Sequence, residues 1–264
     1  MLGKLMKYEF RATGQTMLPL LLFLLVSAVG VNLSARIVDH SDSNAAQFVA
    51  GILMFLFVMA ILVLSVMSIF LMAQRFYKNF LTDEGYLMFT LPVSVHGLLW
   101  SKIFVSAIWF VAVGLADVLA AFIATFKVSA VVSIAGNIKD LFSYITTEYA
   151  LNGAAFIAEG IIIVFLACAG LCLLFYAAMA VGFSFPRHKW LLSVVFFFVF
   201  QLVLQIFGLG GMFTWVQSVG PASTASVFAQ VHTSMLVVIA AEAAFCAIFY
   251  VITALMLKKK LNLE

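Results

Sequence analysis

The chain has 264 residues, of which 66% are hydrophobic and only 9% charged, with a formal net charge of +3. An ordinary soluble domain carries roughly 25% charged residues, so this chain lacks the charge to clothe a water-soluble core. Composition therefore excludes a soluble globular protein and points to an integral membrane protein.

Six stretches reach the length of roughly 20 apolar residues that a helix needs to cross about 30 Å of hydrocarbon. They cover residues 17–35, 48–73, 103–126, 154–183, 190–209 and 233–257. Continuous apolar runs lack the alternation of membrane strands, so the expected fold is one all-α membrane domain over residues 1–264. There is no internal repeat and no low-complexity tract.

Residues 1–16 read as an amphipathic lead. Leu2, Leu5, Met6, Phe10 and Thr13 recur at helical steps, with Lys4, Lys7, Arg11 and Gln15 on another face. Such a helix can lie in the headgroup layer with its cations near anionic lipid; a basic flank that only fixes topology would look the same. The tripeptide Leu33-Ser34-Ala35 precedes Arg36 as in a cleavage site. A sixteen-residue polar lead containing Glu9 is long for a leader, however, and the stretch reads as a retained span.

After the second stretch comes the largest charged segment, residues 75–102, RFYKNFLTDEGYLMFTLPVSVHGLLWSK. Phe76, Phe80, Leu87 and Leu91 fall at helical intervals, with Arg75, Lys78, Asp83 and Glu84 on other faces. Pro92 disfavours helix at Leu91 and forces a bend. Ser94 is placed to cap a new helix running through Leu98 and Trp100 into the third stretch. The expected shape is a short helix along the membrane, a turn and re-entry.

Further along, three carboxylates interrupt apolar stretches: Asp117, Glu159 and Glu242. Measured from the ends of the stretches, Asp117 and Glu242 lie about 21 Å from one boundary and Glu159 roughly 8 Å from the other. All three are thus expected in the outer third. Charged groups at such depth normally face a cavity or a partner, so these are the pathway candidates. Protonated acids bonded to neighbouring helices are the structural alternative. Cys168, Cys172 and Cys246 read as packing residues, and Gly170, Ala177 and Gly182 as sites of close helix approach. His40, His96, His188 and His232 show no metal-ligand spacing. Between the fifth and sixth stretches, residues 208–232 carry no Asp, Glu, Lys or Arg but include Phe213, Trp215 and Phe228. They are expected to be partly buried in the interface, as an aromatic-rich loop.

Lysine and arginine set the orientation. With the N-terminus inside, eleven of the fourteen cations fall on the cytoplasmic side: Lys4, Lys7, Arg11, Arg75, Lys78, Lys102, Arg187, Lys189 and Lys258–Lys260. Only Arg36, Lys127 and Lys139 fall outside. Both termini and residues 75–101 are therefore expected in the cytoplasm. The net charge reflects this anchoring and gives no reason to expect nucleic acid as a partner.

The run TDEGYLMFTLPVS followed by Lys102, lying between the second and third of six stretches, resembles the permease subunits of type-2 ATP-binding-cassette (ABC) exporters. The opening MLGKLMKYEF resembles their interfacial helix. Specific likeness is confined to these two stretches. The resemblance implies that residues 75–101 form a coupling segment docking on a separate ATPase. Phe80, Asp83, Glu84 and Gly85 would fall on its helix and Leu91, Pro92 and Ser94 on its exit. It also implies pairing with a second permease copy or a homologous permease, short re-entrant helices within 208–232, and a bacterial plasma membrane. No GxxxxGK[ST] phosphate loop occurs in the chain, so ATP and Mg would be held by the partner ATPase and no cofactor by this chain. A secondary transporter, or an intramembrane enzyme using Asp117, Glu159 and Glu242, is the competing class.

Overall fold

The computed structural model describes residues 2–40, 43–82, 85, 94–125, 153–218 and 224–259. Among them are six helices and no strand: α1 (Leu2–His40), α2 (Asn44–Leu81), α3 (Val95–Ala124), α4 (Gly153–Gly182), α5 (Lys189–Ser218) and α6 (Thr224–Lys259). All six are long and apolar enough to cross a membrane, as six apolar stretches without strand alternation require. The chain is a multi-pass α-helical membrane protein.

Three boundaries differ from the sequence reading. The amphipathic lead is no separate helix, because α1 runs unbroken from Leu2 through Pro19 to His40. Nothing between the lead and the first apolar stretch breaks a helix, and a lone proline removes only one ladder bond. Residues 75–81 are likewise the last two turns of α2 rather than a separate helix. In α2 a buried stripe of Phe57, Ala60, Leu64, Ser68, Met72, Phe76 and Phe80 stays in helical register to that end. Finally, most of 208–232 continues α5 to Ser218 and α6 back to Thr224, with no short separate helix among the described residues. The glycines at 208, 210 and 211 weaken helix propensity by about 1 kcal/mol each, yet apolar context carries α5 through them.

The described residues fall into two compact units. The first comprises Gly3–Met72 and α3 from Ile108 onward. Its core draws Met17, Leu24, Ala28 and Val31 from α1, Phe57, Ala60 and Leu64 from α2, and Val113, Ala120 and Ala124 from α3. Helices α1 and α3 run parallel, since Trp109 Nε1 donates to Thr13 Oγ1 (2.8 Å) near one end and Asn32 Nδ2 to the Ala124 carbonyl (3.3 Å) near the other. Part of the expected lipid-facing side of the lead, Phe10 and Thr13, thus packs on Trp109. Lys4, Lys7, Arg11 and Gln15 are exposed.

The second unit comprises Ala73–Ala107 and the described residues from α4 onward. Helix α4 is its centre: 39% of its most apolar stretch is buried, against 6% for α5 and for α6. Helices α4 and α6 run parallel, with Glu159 beside His232, Gly170 beside Cys246 and Ser184 beside Met256. Helix α5 returns antiparallel to α4, stacking Phe197 on Phe175 (4.6 Å between centroids). The tight turn that reverses the chain carries His188 at φ 56°, a left-handed conformation seldom taken without glycine. Close approach at this turn depends on Gly182. A Cβ there would overlap the Oγ and backbone nitrogen of Ser193 and lie 2.6 Å from its Cα.

Because that clash is with backbone, Gly182→Ala should lower stability by about 1–3 kcal/mol. Thermal unfolding in detergent reads it; an unchanged midpoint would mean that the α4–α5 turn relaxes freely.

Candidate functional site

The chemistry-bearing groups of the second unit gather at four places. At one end, α2 and α3 pack on the last turns of α4. Phe76 stacks flat on Tyr176 (4.2 Å, 10°) and lies 5.2 Å from Phe80, while the Tyr176 hydroxyl meets Ser106 Oγ at 3.0 Å. Lys102 is buried, with its ammonium 5.5 Å from the centre of the Phe80 ring, a cation–π distance. Phe80, read from sequence as a coupling residue, is itself fully buried; its side chain acts on packing within the chain.

The remaining coupling residues divide. Gly85 donates its N–H to the Thr82 carbonyl (2.7 Å), and a Cβ on it would stand 2.7 Å from the Phe80 carbonyl oxygen. A glycine is thus needed where the chain leaves α2. Ser94 caps α3, its Oγ accepting the Gly97 N–H at 3.2 Å, as its position before the helix leads one to expect. Asp83, Glu84, Leu91 and Pro92 lie outside the described residues.

Near the same end, α3 and α6 join through His96. Lys258 Nζ sits 2.9 Å from its Nε2 and the Tyr250 hydroxyl 2.7 Å from its Nδ1. An ammonium only donates, so Nε2 accepts and Nδ1–H donates to Tyr250. The link was not legible in sequence, because 154 residues separate its ring partners.

Toward the opposite end of α4, Glu159 is 8% exposed, and both its oxygens accept from His232 Nδ1–H, at 2.8 and 3.0 Å. Sequence reading singled out Glu159 and saw no partner for His232; the parallel packing of α4 and α6 joins them. Glu242 lies ten residues beyond His232 along α6, about 15 Å along the axis. The two acids of this unit therefore do not share a site. Glu242 borders a cavity of about 300 Å³ between α4, α5 and α6, and its Oε2 is buried without a hydrogen-bond partner. Asp117 belongs to the first unit, and its Oδ1 is likewise buried and unpartnered. Among the described residues no three His, Cys, Asp or Glu side chains come together as a metal site.

No family model matches the chain, and no curated protein or solved structure does either.

A carboxylate this buried is destabilising once unpaired. His232→Ala should therefore cost about 1–2 kcal/mol, and Glu159→Gln should make the same histidine change nearly harmless. A double-mutant cycle by denaturant unfolding in micelles measures this; additivity within about 0.5 kcal/mol would dissolve the pair.

Proposed function

We propose that this chain is the membrane-spanning permease subunit of an ATP-driven exporter of the type-2 ABC class, paired with a second permease and driven by separate ATPase chains. One observation carries the reading: the TDEGYLMFTLPVS run placed between the second and third of six apolar helices and followed by Lys102 within the third. Three others support it. Ser94 caps a helix that continues from this segment into α3. The cations concentrate on the side assigned to this segment. The sequence holds no phosphate loop, so ATP would have to be hydrolysed on another chain.

In this reading the segment after α2 lies in the cytoplasm of a bacterial cell, and Asp83 and Glu84 present charge to the ATPase. The α2 end of the segment is anchored to α4 by Phe76 on Tyr176, with Phe80 packed on Phe76, and α3 meets the same Tyr176 through Ser106. Movement imposed on the segment would then reach the second unit through packed side chains rather than through a flexible tether.

A second reading, proton-driven transport by this chain alone, draws on the unpartnered buried oxygens of Asp117 and Glu242. Native purification separates the two. The exporter reading expects a stoichiometric ATPase to co-purify and Glu84→Lys to weaken that association at least tenfold, with membrane insertion unchanged. Full ATPase binding and transport by Glu84→Lys would remove the coupling assignment. Proton-driven uptake into vesicles holding only this chain would replace the exporter with the second reading.

A further inference from the structure

The cavity between α4, α5 and α6 combines apolar walls with one carboxyl oxygen that the protein leaves buried and without a partner. Leu166 and Leu174 of α4, Leu204 of α5 and Phe249 of α6 line it, and Glu242 and Gln201 bring polar groups to the same space. Its volume of about 300 Å³ is at the lower end of small-molecule sites, which are typically apolar hollows with a few placed polar groups. Gly170 also lines it, and a Cβ there would stand 3.4 Å from Cys246 Sγ.

The polar half of the cavity limits its occupant. Glu242 Oε2 is buried and accepts no hydrogen bond, an arrangement that is costly in an apolar setting unless a donor arrives. A lipid acyl chain or an apolar side chain of a second copy would fill the walls but supply no donor. An ammonium group supplies both the N–H and the complementary charge, and an apolar body of modest size suits the leucine and phenylalanine surfaces. We infer that this cavity is a binding site for a small lipophilic amine, its ammonium on Glu242 and its apolar body against α4 and α5. Gln201 is the second polar group within reach of such a ligand. The site requires neither ATP nor a partner chain, so it stands apart from the exporter reading.

The test uses the full chain in lipid nanodiscs, with empty nanodiscs subtracted, and two probes of nearly equal shape, phenylbutylamine and phenylbutanol. Saturable binding of the amine is expected, with the alcohol at least about tenfold weaker, as a hydrogen bond to a charged group implies. The near-isosteric Glu242→Gln should abolish that preference while leaving thermal unfolding little changed. Equal binding of both probes would reduce the cavity to an apolar groove and overturn the assignment, as would no saturable binding of the amine. Retention of the full preference by Glu242→Gln would overturn the role of Glu242. Should that variant not fold, the amine–alcohol comparison on the unmodified chain decides alone. ATPase co-purification is a separate readout, so loss of either result leaves the other standing.

Discussion

In hydrocarbon, no water is available to satisfy a backbone N–H or C=O, and each orphan costs several kcal/mol. This constraint forces the apolar stretches into helices, but it says nothing about how they assemble. Lipid tails are as apolar as leucine, so hydrophobic burial gives little reason for one helix to prefer another over lipid. Assembly must rest on close backbone approach, aromatic stacking and hydrogen bonds between helices. The second unit uses all three: Gly182 against Ser193, Phe76 and Phe175 in aromatic stacks, and Glu159 with His232. The first unit relies more on interlocking aliphatic side chains, tied by Trp109–Thr13 and Asn32–Ala124.

The same constraint sorts the polar side chains. Among the described residues many hydroxyls turn back onto their own helix, as Ser27 does to Leu24, Ser65 to Ile61, Ser101 to Leu98 and Thr253 to Phe249. Such bonds satisfy the hydroxyl without specifying a neighbour. A smaller group reaches across helices and does specify one. Against this background the bare oxygens of Asp117 and Glu242 stand out. Both acids are half-buried with one oxygen fully enclosed, a costly placement in an apolar helix.

Within the second unit, α2 and α3 pack on the last turns of α4, and α4 runs from there to the Glu159–His232 pair. Buried aromatic rings fix the first connection, so the end of α2 that leads into the 82–94 segment sits on a packed base. Gly85 and Ser94 set the two ends of that segment by backbone geometry: one admits a turn closed to any side chain, the other starts a helix.

Secondary structure and membrane class are local properties that the chain carries residue by residue. Length of apolar run and absence of alternation decide both locally, which is why six helices and the Ser94 cap were legible. Helix ends were less so: α1, α2 and α5 run past the expected limits, because a polar lead or a glycine pair does not stop a helix that tertiary packing continues to support. The intramembrane acids were legible as residue types, since charge in an apolar run is conspicuous. Their circumstances were not. That Glu159 has a histidine and Glu242 only a cavity depends on α4 and α6 lying parallel in one register, over a separation of more than 70 residues. Periodicity shows which face of a helix is polar; only the assembled helices decide what that face meets, because the pairing energies arise between elements and leave no mark on either one alone.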